Sequence, residues 1–150
     1  MGFTMIELVL VLVIAMILLG IAAPRLLETS SLVAVDNARS KVTAQVAMTR
    51  AAATRFGRLS TLVLDVAGDR LSILVDTSAL GGASPATLQQ VDLWGDLSVD
   101  LGASQPLICF DPRGLAVQAG ACTGQPVVIR LQRGSVLDSV LVSATGRVTP

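Results

Sequence analysis

Histidine and tyrosine are absent from this 150-residue chain, lysine occurs once, as Lys41, and aromatic residues make up only 3%. Most of the usual general bases and metal ligands are therefore missing, which weighs heavily against an enzyme. Eleven basic residues balance eleven acidic ones, so the net charge is zero and no overall positive field draws in nucleic acid. Only two cysteines occur, Cys109 and Cys122, and with no histidine to activate either one a nucleophilic role is excluded. The spacing of Asp92, Asp96 and Asp100 is the one hint of a hard-cation site. It lacks the ligand spacing of a calcium loop, and Gly95 beside Asp96 reads better as a turn, so we expect no metal and no cofactor.

What is abundant is concentrated at the start. Residues 3–23 carry one charge, Glu7, and only Thr4, Glu7 and Gly20 fall outside the apolar set. As a helix this run is roughly 30 Å long, the thickness of a bilayer's hydrocarbon core. A cleaved signal peptide would carry basic residues ahead of a shorter apolar core, and here no Lys or Arg precedes Arg25. The run reads as a membrane-spanning helix with a carboxylate inside it. An acid deep in such a span costs about 2.5–3.5 kcal/mol, so Glu7 is expected to have a partner and a function. With the run set aside, roughly 46% of the remaining residues are apolar, which is ordinary for one soluble domain.

The order Gly2-Phe3-Thr4-Met5-Ile6-Glu7, then the apolar run, then Pro24, resembles the N-terminus of type IV pilins and of the pseudopilins of type II secretion. The resemblance implies cleavage after Gly2 by a prepilin peptidase, methylation of the new Phe3 amine, and pairing of Glu7 with the amine of a neighbouring subunit. It also implies a single-pass protein of the bacterial inner membrane, its head in the periplasm, whose partners are other pilin or pseudopilin subunits. Family leaders carry basic residues before the glycine, and here residues 1–2 read as a leader remnant. Pro24 marks the end of the span or a kink, and both Glu7 and Pro24 are expected to matter for filament assembly.

Beyond residues 3–25, the stretch Glu28-Thr29-Ser30-Ser31 has poor helix propensity and predicts a local break. An apolar stripe at Leu32, Val35, Ala38, Val42, Val46, Ala53 and Phe56, with Thr49 in its one gap, predicts an amphipathic helix over 26–57 that stops at Gly57. Arg39, Lys41, Arg50, Arg55 and Arg58 make that segment locally basic, and a solvated face explains them better than a nucleic-acid patch. From 58 to 150 the texture is that of a β-rich head. Strands are expected at 59–66 and 71–76, paired as a hairpin, at 97–101 after a Trp94-Gly95-Asp96 turn, and at 107–110, 115–118, 127–132, 139–143 and 147–149. Residues 78–90, with Gly81, Gly82 and Pro85, read as a surface loop. The fold class expected is α+β, a long N-terminal helix packed on an antiparallel sheet.

The C-terminal half is similar to the GspH/FimT branch of pseudopilins, through Phe110-Asp111-Pro112-Arg113-Gly114 and the ending that contains Gly146-Arg147. Some members of that branch bind DNA through a Gly-Arg-x-Arg tail, which makes Gly146 and Arg147 candidate DNA contacts. Thr149 stands where the second arginine would, so DNA is disfavoured as a partner. In the oxidising periplasm the family implies, Cys109 and Cys122 would be joined, the alternative being two free thiols in the core. The resemblance points first to a minor pseudopilin of type II secretion, and second to a FimT-like minor type IV pilin acting in pilus biogenesis or DNA uptake.

Overall fold

The computed structural model describes residues 4–78, 84–118, 122 and 126–149, with no side-chain detail at 21–24, 26 and 27. One helix, α1 (Met5–Phe56), takes up the first third of the chain. Its start is capped by Thr4, whose side chain accepts from the Glu7 backbone N–H, and Glu7 supplies the negative charge that a helix N-terminus favours. Its end is Gly57, in the left-handed conformation, with its N–H returned to the Ala53 carbonyl.

The expected break at 28–31 does not occur, and α1 runs without interruption through Pro24 and the Glu28-Thr29-Ser30-Ser31 stretch. One local reason is visible: the Thr29 hydroxyl donates to the Arg25 carbonyl at 2.9 Å, so a residue that usually competes with the helix bonds back onto it. Turns already formed on both sides also make continuation cheaper than a fresh nucleation.

The described residues of the head form nine strands in two antiparallel sheets. The first, in the order β3-β2-β1-β5-β6, uses β1 (Ser60–Asp65), β2 (Arg70–Val75), β3 (Ala86–Asp92), β5 (Leu107–Phe110) and β6 (Ala116–Val117). The second, β4-β7-β8-β9, uses β4 (Asp100–Ala103), β7 (Val127–Arg133), β8 (Val136–Val142) and β9 (Val148–Thr149). Alternation decides which faces turn inward: Leu62 and Leu64 of β1, Leu71 and Ile73 of β2, Ile129 and Leu131 of β7, and Val140 and Val142 of β8 are all buried. Both sheets close on one stripe of α1, where Val35, Ala38, Val42, Val46, Thr49 and Ala53 are buried. The stripe is shorter than expected. Leu32 lies below the head and is 54% exposed, while Phe56 is half-buried at the helix end.

Three segments differ from the expected strands, and the simplest is β8, which begins at Val136, three residues ahead of the expected 139–143. At 93–97 there is a short helix, α2 (Leu93–Leu97), so Trp94-Gly95-Asp96 is helical and the strand after it begins only at Asp100. Asp92 caps α2 by accepting from the Gly95 N–H at 2.7 Å, Leu93 is fully buried, and Ser98 ends the helix at φ 54°. The β1–β2 turn holds this connection in place, because the Asp69 carbonyl accepts from Leu93 N–H (2.9 Å) and its carboxylate from Leu101 N–H (2.7 Å). The expected loop at 78–90 is also too long. Residues 86–90 belong to β3, which continues the sheet at its edge.

Candidate functional site

Thirteen large apolar side chains of α1 between Met5 and Leu19 are each about half exposed or more, from 49% for Val13 to 87% for Met5. No described part of the head covers them. At about 1.5 kcal/mol per side chain, leaving such a set in water is disfavoured by roughly 20 kcal/mol, so this half of the helix calls for an apolar cover that the described residues do not supply. Glu7 is exposed in the first turn of the helix, and Gly2 and Phe3 lie outside the described residues. Pro24 lies in α1, and no side-chain contact is described for it. Over the described residues no helix is long and apolar enough to cross a membrane; the expected span, 3–23, extends past the described side chains at both ends.

The two C-terminal motifs meet at one place, the side of α1 near Arg50. In the first, Asp111 forms a turn, its carboxylate accepting from Arg113 N–H (2.9 Å) and Leu115 N–H (2.8 Å). Gly114, at φ 77°, lies so close to α1 that a Cβ there would come within 2.9 Å of the Arg50 side chain. In the second, Gly146 sits at φ 72° between β8 and β9, and a Cβ would stand 2.6 Å from the Phe110 ring. Phe110 is fully buried, so Gly146 is required for the turn to pass over the ring. Arg147 beside it is exposed, and its backbone exchanges hydrogen bonds with Ser143. The glycines of both motifs thus serve the packing of the head, while Arg113 and Arg147 face solvent.

Much of the basic character expected of 39–58 is answered locally. Arg39 pairs with Asp138 of β8 (3.5 Å), Lys41 with Asp96 of α2 (2.5 Å) and Arg58 with Asp76 (3.9 Å). Partly exposed pairs of this kind contribute up to about 1 kcal/mol each, and the first two link α1 to β8 and to α2. The three aspartates considered for a cation go separate ways. Asp92 caps α2 and bonds Arg70, Asp96 pairs with Lys41, and Asp100 is exposed on β4; among the described residues no group of three acids, cysteines or histidines could hold a metal ion. The Gly95 N–H, and then the Arg70 guanidinium, hold the Asp92 carboxyl below its ordinary pKa. Its contribution is complete above the ordinary carboxylate range and is lost as pH falls through the lowered value.

Cys109 and Cys122 form a disulfide with Cα atoms 6.0 Å apart, and both are buried. The bond ties β5 to the segment beyond β6 across 13 positions. Closing a loop of that size stabilises by about 3 kcal/mol on the chain-entropy account. Replacing Cys122 with Ala is therefore expected to lower the thermal midpoint of the head by roughly 10 °C, read by circular dichroism. Intact protein should resist alkylation until it is unfolded in reductant.

A long N-terminal helix whose upper half is packed on antiparallel sheets, with its lower half left bare and apolar, is the type IV pilin-like fold of minor pilins and pseudopilins. Among solved structures the chain is similar to the type IV minor pilin FimU of Pseudomonas aeruginosa strain PAO1. In one crystal form the TM-score is 0.58 at 18% identity, over 77% of this chain and 86% of that one. In another it is 0.55 at 19% identity, over 76% and 90%. It is also similar to EpsH, the minor pseudopilin of the Type 2 Secretion System of Vibrio cholerae, with a TM-score of 0.56 at 14% identity over 77% and 94%. No family model and no curated protein matches the sequence.

The resemblance at the N-terminus singles out Glu7 and passes over Thr4, which the structure shows to be the helix cap. The signal for it is present, since Thr4-x-x-Glu7 has the spacing of a capping box.

Proposed function

We propose that the chain is a minor pseudopilin, a structural subunit that enters the pseudopilus of type II secretion through its N-terminal helix and so takes part in protein export. The observation that carries this is the bare apolar half of α1, attached without a break to the helix that forms the head's core. In the monomer it would sit in the inner membrane with the head in the periplasm, and assembly would exchange lipid contacts for contacts with neighbouring helices. Prepilin peptidase would cut after Gly2, and the methylated amine of Phe3 on one subunit would meet Glu7 of another.

The topology has a direct test. Protease added to spheroplasts should digest the head; a fully protected head would sink the proposed anchoring.

A second reading, a FimT-like minor type IV pilin, is supported by the similarity to FimU, with a TM-score of 0.58 against 0.56 for EpsH. Deleting the gene in its own bacterium separates the two. Loss of cargo secretion with surface pili intact supports the pseudopilin; loss of pili or of DNA uptake with secretion intact supports the pilin.

A further inference from the structure

Among the described residues, β3 is the outer strand of its sheet and pairs with β2 alone. Residues 86–90 are exposed, and along an antiparallel edge every second residue turns its N–H and C=O outward. Natural edges are usually blunted by charge or by proline within the strand. Here β3 has no proline, and its one charged residue, Asp92, stands at the last position and is bonded to Arg70, which leaves 86–91 without charge.

The one irregularity in this pairing is a bulge. The register passes from Gln89 opposite Ile73 to Thr87 opposite Leu74, which makes Leu88 the extra residue. Leu88, 45% exposed, lines an open cleft of about 240 Å³ together with Met48, Ala51, Arg55 and Phe56 of α1. Met48 is 49% exposed, and the Arg55 guanidinium lies 5.6 Å from the centre of the Phe56 ring. Buried Ala52 and Ile73 also line the cleft, while Met48 and Leu88 lie outside the buried core and leave its mouth apolar.

We propose that this edge is a docking site for an extended segment of another polypeptide, added antiparallel to β3 as a sixth strand. Its apolar side chains would cover Leu88 and Met48, and a carboxylate would meet Arg55. Such docking is independent of which filament, if any, the chain enters. A helix is the poorer occupant, because its backbone groups bond one another and would cover the outward groups of β3 without pairing them. The β3 strand of a second copy is also poorer, since its one carboxylate, Asp92, is already taken up by Arg70 and the Gly95 N–H. Strand addition supplies both the backbone partners and, through alternate side chains, the selectivity.

The test uses the full chain in detergent micelles with the probe peptide acetyl-Thr-Val-Glu-Val-Thr-Val-Thr-amide, with amide exchange and titration as readouts. Saturating peptide should slow exchange about tenfold at alternate amides across 86–91. Leu88→Asp and Arg55→Glu, both at exposed positions, should each weaken binding about tenfold. A peptide with Lys in place of Glu should recover binding to the Arg55→Glu variant. Absence of protection in β3, or binding that survives both substitutions, overturns the proposal. Protection of β3 that rises with protein concentration and needs no peptide also overturns it, by assigning the edge to a second copy.

Discussion

Replacing Glu7 with Ala should leave the chain in the membrane fraction at parental levels or above, and nearly abolish its incorporation into filaments. The expectation rests on the cost of the acid. A carboxylate at the centre of a span costs about 2.5–3.5 kcal/mol; Glu7, in the first turn, costs the inserted monomer less than that but still something, so the substitution eases insertion. On the proposed function the use of such a residue would lie in the assembly, where a neighbouring amine in a low-dielectric helix bundle would cancel its charge and set the stagger between subunits. Glu7 also stands at the positive end of α1, but that contribution is only about 0.3–1 kcal/mol and cannot account for a large loss of assembly. Glu7→Gln keeps a hydrogen bond without the charge and should fall between the parent and Glu7→Ala. Co-purification with sibling subunits, measured beside membrane fractionation, gives both numbers. A Glu7→Ala variant that assembles like the parent would make Glu7 a passenger.

Gly146→Ala should destabilise the head by roughly 2–5 kcal/mol in urea titration. The left-handed backbone at φ 72° disfavours any Cβ by about 1–2 kcal/mol. The 2.6 Å approach to Phe110 adds about 1–3 kcal/mol, because that ring is fully buried and has nowhere to retreat. Arg147→Ala, one position on but exposed, should change stability by less than about 0.5 kcal/mol. The pair separates the structural half of the Gly-Arg motif from whatever the arginine does in solution. A Gly146→Ala variant as stable as the parent would show that the β8–β9 turn can lift off Phe110.

Side-chain pattern makes the long-range framework readable. Val35, Ala38, Val42 and Val46 repeat at helical spacing and are buried, and the β1–β2 hairpin and β7 fall within a residue or so of where alternation puts them. The failures lie where side chains do not decide. Leu97-Ser98-Val99-Asp100-Leu101 alternates as a strand would, yet the Asp92 cap, the burial of Leu93 and the left-handed Ser98 make a helix turn there first. β3 is held by backbone bonds at a sheet edge with residues 86–90 exposed, so it leaves no alternation to read. Pro24 and the Ser/Thr stretch look like breakers because propensity is local, whereas α1 is continuous over 52 residues. The part proposed to be functional is visible for the opposite reason: an apolar run with a single acid in it stands out without any fold.

A photocrosslinking amino acid in place of Val13, at the middle of the bare half of α1, probes the central claim most directly. With filaments assembled in cells, the account predicts adducts between position 13 and the N-terminal helix of another pilin-type subunit, and lipid adducts alone when the chain is expressed without its siblings. The same crosslinker at Leu137, exposed on β8, should give no helix adduct. A crosslinker at position 13 that never captures another subunit under assembling conditions would contradict the reading of this chain as a filament subunit joined through its N-terminal helix.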